Sequence, residues 1–136
     1  MTATPIYYLT MADLRAIASD VVGEYIVRDP GLLASAVARP QTTVFGADAY
    51  STEWDKAGAL LHSNAKNHPL IDGNKRLAIA AGMIFLARNG IDIADLDEDL
   101  AYDMMIAVAS SELDEVADIA EQLRKVLGHG SRGSST

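Results

Sequence analysis

His68-Pro69-Leu70-Ile71-Asp72-Gly73-Asn74-Lys75-Arg76, followed at once by the apolar run Leu77 to Ala87, is the stretch from which the rest of the chain can be read. Pro69 stops a preceding helix, because the residue before proline is pushed out of the helical region. His68 therefore stands just past a helix C-terminus, at the mouth of a loop. Gly73 supplies the freedom for a tight turn. A second helix is predicted from about Asn74 to Arg88, with Asn89-Gly90 as its stop. Its apolar run is apolar on all sides, which places it in a core. At 11 residues that run is too short to span a bilayer. The first turn carries Lys75 and Arg76, although a helix N-terminus holds roughly half a positive charge and prefers acids. Each cation there is unfavourable by about 0.3–1 kcal/mol. The arrangement makes sense if an anion such as phosphate binds at this helix start.

A phosphate-transfer site needs a group that accepts the nucleophile's proton, an oxygen ligand for Mg²⁺ and donors that hold phosphates. His68, Asp72 and the run Gly73 to Arg76 meet those needs in that order. Gly73 and Asn74 can form a backbone nest. Taken singly these residues are ordinary. A histidine after a helix is commonly a cap, and Asp-Gly is a common turn dipeptide.

Outward from this stretch the chain reads as one helical domain over residues 1–127. Thr10 with Asp13 resembles a variant capping box, and apolar spacing from Leu14 to Tyr25 predicts a helix over about 11–27. Asp29-Pro30 reads as an N-cap with proline at the first helical position, opening a short helix that Arg39-Pro40 ends. Residues 41–52 suit a loop or a short β-hairpin. Helices are predicted over about 52–67, 97–109 and 114–127, the last begun by Asp114. Trp54 and Tyr50 read as core or loop anchors, and His62 as a helix-surface residue. The Gly/Ser-rich residues 128–136 read as a flexible tail.

The formal charge is -8, unevenly placed. Residues 92–121 hold 11 acids and no Lys or Arg, which reads as a solvated helical surface. Lys56, Lys66, Lys75 and Arg76 against Asp72 make residues 56–76 a small basic focus, suited to a compact anion rather than to nucleic acid. The absence of cysteine excludes disulfides and thiolate–zinc sites and is compatible with a cytoplasmic setting. No signal peptide or membrane span is expected.

The complete string resembles the signature H-P-F-x-[D/E]-G-N-[G/K]-R of the Fic superfamily. Lys75 at its eighth place makes it look like the death-on-curing (Doc) branch, toxins of bacterial toxin–antitoxin pairs. Tyr8-Leu9-Thr10, Arg28 to Leu33, Ala38 to Gln41 and Phe85 to Gly90 also look like Doc segments in the same order. The resemblance covers roughly residues 6–127. It implies the all-α Fic fold, with the signature between two central helices and residues 41–50 as a target-docking flap. It implies that His68 is the general base and that Asp72 binds Mg²⁺ and helps orient His68. Gly73 and Asn74 would build the anion hole, and Arg76 would grip the phosphates of ATP. Lys75 stands where AMP-transferring relatives have glycine and would select transfer of the γ-phosphoryl group. Leu70 replaces the family's phenylalanine, from which a looser loop is expected.

The function so implied is a kinase-like toxin. It would phosphorylate a Ser or Thr hydroxyl of a translation protein, elongation factor Tu by resemblance, and be restrained by a Phd-type antitoxin. AMP transfer from the same site is the alternative. A helical ribonuclease is a further one, since Arg124 and His129 have the spacing such enzymes use. A non-catalytic Fic-like binding module is the last.

Overall fold

The computed structural model describes residues 5–129. Thr10 and Asp13 close a complete capping box. The Asp13 N–H donates to Thr10 Oγ1 at 3.1 Å and the Thr10 N–H to Asp13 Oδ2 at 2.9 Å. This starts α1, Met11–Val21. The helix ends six residues short of the predicted Val27, because Gly23 takes φ +91°. The apolar spacing continues to Val27, but its last residues form an extended segment that pairs with the loop before α4, described below. Asp29 Oδ1 accepts from the Gly31 N–H at 2.9 Å and opens α2, Pro30–Ala38, with proline at its first position as expected. A single 3₁₀ turn, Arg39–Gln41, follows.

The short hairpin is present, as β1 Thr43–Val44 and β2 Ala47–Asp48, antiparallel with Thr43 opposite Asp48. Phe45 and Gly46 join them with φ +52° and +80°. Positive φ at both central residues matches the twist of a tight hairpin.

Next come α3, Glu53–Asn67, and α4, Asn74–Arg88. Eleven of the 15 residues of α3 are buried, so it is the axis of the fold. α4 folds back along it, with Gly82 lying over Leu61 and Ala57. Then α5, Glu98–Ala109, and α6, Val116–Val126, complete six α-helices among the described residues. α6 crosses α3 at Gly58, where a Cβ would come within 3.2 Å of the Val116 carbonyl. The domain is an all-α bundle with one two-stranded ribbon.

Several polar residues serve the packing. Lys56, a member of the expected basic focus, is 1% exposed and bonds Asp48 (3.2 Å) and the Tyr50 carbonyl, tying the hairpin to α3. Lys66 bonds the Ala109 carbonyl and the Ser111 hydroxyl. The basic focus therefore reduces to Lys75 and Arg76. His62, expected on the surface, is half-buried between Arg39 and Asp114. Arg39 only donates, so its Nη1 fixes Nδ1 of His62 as acceptor at 2.7 Å, and Nε2–H donates to Asp114 at 2.8 Å. That bond holds the Asp114 carboxyl below its ordinary value. Asp114 is thus occupied with His62, and α6 begins at Val116 after Glu115, with no side-chain cap.

Gly128 and His129, assigned from sequence to the tail, close α6. The Gly128 N–H reaches the Lys125 carbonyl and the His129 N–H the Arg124 carbonyl, a Schellman arrangement. Residues 130–136 of the expected tail lie outside the described residues. No helix among the described residues is long and apolar enough to cross a membrane.

The Asp13 cap makes an acid-dependent contribution. The Thr10 N–H, then Arg88 and the Thr10 hydroxyl, hold its carboxyl below the usual value against the opposing effect of burial. A carboxyl lowered by folding stabilises fully above its unfolded pKa of about 3.9 and loses that contribution as pH falls through the folded value. Asp13→Ala should therefore lower stability by about 1 kcal/mol at pH 6. Thermal melts across pH 6 to 3 should show the gap from wild type closing with acid. A gap independent of pH would show that the carboxylate charge is not involved.

Candidate active site

His68 ends α3 as its C-cap, in the left-handed region at φ +55°, ψ +62°. A non-glycine residue there costs about 1–2 kcal/mol and persists only where neighbours hold it. Arg28 does so. Its Nε donates to the His68 carbonyl and its Nη2 to the Asn67 carbonyl, both at 2.7 Å. The last carbonyls of α3 are thereby satisfied by a cation, as a helix C-terminus favours. The His68 side chain is exposed, and its ring makes no hydrogen bond among the described residues.

The loop after it runs as a short extended strand. Leu70 bridges Val27 in antiparallel fashion. The Arg28 N–H donates to the Pro69 carbonyl at 2.8 Å and the Ile71 N–H to the Ile26 carbonyl at 2.9 Å. In that pairing the N–H and C=O of Leu70 face away from Val27. The Asn74 side chain takes both, Oδ1 accepting from Leu70 N–H and Nδ2 donating to Leu70 C=O, each at 2.9 Å. Leu70 is itself 1% exposed. The smaller residue in place of phenylalanine does not leave the loop loose, because backbone bonds on both sides hold it.

Gly73 then turns the chain into α4 at φ +90°, with no side chain capping the helix. A Cβ here would lie 2.6 Å from Val22 Cγ2, so both backbone and packing require glycine. The first bond of α4 is donated by Leu77 to the Gly73 carbonyl. The N–H groups of Asn74, Lys75 and Arg76 precede the helical ladder, and no acid occupies the first turn. Gly73's own N–H donates to Asp72 Oδ1 at 2.8 Å. Asp72 is thus bonded to Gly73, and among the described residues no direct hydrogen bond joins it to the His68 ring that the resemblance has it help orient.

His68, Asp72, Gly73, Asn74, Lys75 and Arg76 line one cavity of about 370 Å³, walled also by Ala65, Ile71 and Ala109. All six residues singled out in the sequence meet there. Sequence reasoning missed Arg28 and the 26–28 segment as supports. Arg28's place at the head of the resembling segment Arg28 to Leu33 was the one available signal, and it did not extend to residues 26 and 27. Arg124 and His129 are placed elsewhere. The Arg124 guanidinium lies 4.8 Å and the His129 ring 5.2 Å from the Trp54 ring. Both pack that indole, and neither lines the cavity, which removes the support for the ribonuclease reading.

The donor set fits Mg²⁺ carried by a nucleotide. Asp72 is the single carboxylate of the cavity, and no cluster of three or more His, Cys, Asp or Glu suited to a metal exists among the described residues. Mg²⁺ commonly takes one or two carboxylates, with phosphates and water completing the shell. What fold and cavity define is a helical domain in which an exposed histidine stands beside a cationic, uncapped helix start.

A family model described as the Fic/DOC family matches residues 7–86. The chain is 58% identical over 93 residues to "Toxin Doc" of Mycolicibacterium smegmatis, covering 68% of this chain and 72% of that protein. It is 31% identical over 100 residues to "Protein kinase doc" of Escherichia phage P1, covering 74% and 76%. The chain belongs to the Fic/DOC family.

Gly73→Ala should destabilise the domain by about 2–3 kcal/mol, from left-handed strain plus the clash with Val22. In a Val22→Ala background the same substitution should cost only about 1–2 kcal/mol, the strain alone. Chemical denaturation of the four proteins measures the coupling. Equal costs in both backgrounds would show that Val22 does not exclude a side chain.

Proposed function

We propose that this chain is a Doc-type toxin that transfers the γ-phosphoryl group of ATP to a Ser or Thr hydroxyl of a protein of the translation machinery. The observation that carries the reading is the meeting of His68, Asp72, Lys75 and Arg76 around one cavity at the uncapped start of α4. The family and the two relatives support it, one being named a toxin and the other a protein kinase.

In this reading the N–H groups of Asn74, Lys75 and Arg76, with the two cationic side chains, hold the phosphates. Asp72 would hold Mg²⁺, which neutralises phosphate charge when bound. His68, with a free ring nitrogen, accepts the proton of the target hydroxyl. The hydroxyl oxygen bonds to the γ-phosphorus, the bond from that phosphorus to its bridging oxygen breaks, and ADP departs with the electron pair. Lys75 in place of glycine crowds the cradle and favours γ-phosphoryl over AMP transfer. Elongation factor Tu is the target implied by the resemblance, and a Phd-type antitoxin the restraining partner.

Incubating the protein and a bacterial lysate with γ- or α-labelled ATP separates the possible reactions. Label should enter protein from the γ-position only, and His68→Ala should reduce it about 10²–10⁴-fold. Label from the α-position would establish AMP transfer. No label from either would leave a binding module. Full transfer by His68→Ala would exclude His68 as base.

A further inference from the structure

Ile26 and Ile71 stand opposite each other on the ribbon made by residues 26–28 and 69–71, because Leu70 bridges Val27 and the Ile71 N–H donates to the Ile26 carbonyl. Successive side chains of a strand point to opposite faces. Leu70 takes the inward face and is buried, while Ile26 and Ile71 are 67% and 62% exposed on the outward one. The outward face of an antiparallel ribbon is ordinarily polar. One exposed isoleucine is common, but here two meet across a single ladder, where opposed Cβ atoms lie about 5 Å apart. Neither side chain is needed to brace the loop, since backbone bonds and Asn74 do that.

Ile71 also walls the cavity that holds His68 and Asp72. The apolar pair therefore begins at the rim of the site and leads away from it. Resting on the transfer reading above, we infer that Ile26 and Ile71 dock the protein that receives the phosphoryl group, and select a large apolar side chain close to its receiving hydroxyl. Position chooses this occupant, because that hydroxyl must enter the cavity that Ile71 walls. Strands of a ribbon lie about 4.8 Å apart, so Ile26 stands one strand's width beyond the wall, a distance an extended chain covers in about two residues. Two side chains on the outer face of a ribbon offer contact area without enclosure, which suits a protein surface over a small molecule. Charge rims the pair, with Glu24 and Arg28 two residues to either side of Ile26 and Asp72 next to Ile71, all three exposed. An apolar centre with a polar rim is the anatomy of a protein interface.

The test compares Ile26→Val and Ile26→Thr in the full chain. The two replacements have nearly the same shape and keep the β-branch that suits a strand, but one is apolar and the other carries a hydroxyl. Ile26 is largely exposed and meets Ile71 through its main-chain carbonyl, so both variants spare the core and the ladder. The probe is the protein that takes γ-label in the lysate assay, purified and titrated at saturating MgATP. Ile26→Thr should raise KM for that protein at least about tenfold, with kcat and the calorimetric affinity for MgATP unchanged, and Ile26→Val should raise KM no more than about fourfold. An unchanged KM in Ile26→Thr, or equal rises in the two variants, would overturn the inference while leaving the transfer reading standing. A fall in kcat or in MgATP affinity would assign Ile26 to bracing the loop and also overturn it. Sedimentation showing a wild-type dimer that Ile26→Thr dissociates would give the pair to a second copy of the chain instead. Failure of the wild type to label any protein would remove the transfer reading itself, and this inference with it.

Discussion

The pair of hydrogen bonds between the Asn74 side chain and the main chain of Leu70 is the contact on which the site depends. Six residues separate α3 from α4, and the loop must hold a histidine, a carboxylate and an uncapped helix start in fixed relation. On one side the 26–28 segment pairs with it as a strand. On the other side Leu70 would leave a buried N–H and C=O unmet, each costing about 1–3 kcal/mol. A carboxamide is the one side-chain group with a donor and an acceptor spaced as in a peptide. Asn74 therefore acts as a one-residue second strand. Aspartate in its place would lose the donor, and serine would not span both groups.

The same device recurs at the far end of α4. Asn89 Oδ1 accepts from the Tyr7 N–H at 2.8 Å, and its Nδ2 donates to the Tyr7 carbonyl at 2.9 Å. The central apolar helix is thus stitched to extended chain at both ends, and α3 lies along its length. Arg28 completes the loop by gripping the Asn67 and His68 carbonyls. With the backbone secured in these ways, the His68 ring, Lys75 and Arg76 stay exposed for a ligand. Preorganised groups of this kind need no rearrangement when charge develops during a reaction.

Much of this was legible in the sequence because the chemistry is contiguous. The residues singled out lie within His68 to Arg76, and proline and glycine punctuate that stretch unambiguously. Thr10–Asp13, Asp29-Pro30 and Asn89-Gly90 marked helix ends through local rules, and the structure follows them. What could not be read depends on partners far along the chain. Val22 to Val27 continue a helical spacing, yet Gly23 ends α1 and the segment pairs with residues 69–71. Lys56 looks like a free cation but is buried against the hairpin it anchors. His62 meets Arg39 and Asp114, 23 and 52 residues away. Asp114 looked like a helix cap because an acid before a helix commonly is one, and the competing His62 bond lies outside any local pattern.

That the cradle is built by the protein before any ligand arrives is the central claim, and single-amide hydrogen exchange on the ligand-free chain tests it most directly. Arg28, Leu70 and Ile71 donate the hydrogen bonds that brace the loop. Their amides should exchange as slowly as those in the middle of α4, because they open only when the surrounding unit unfolds. Exchange at the rate of an exposed loop, slowing only when MgATP is added, would show that the ligand forms the loop and would contradict the account.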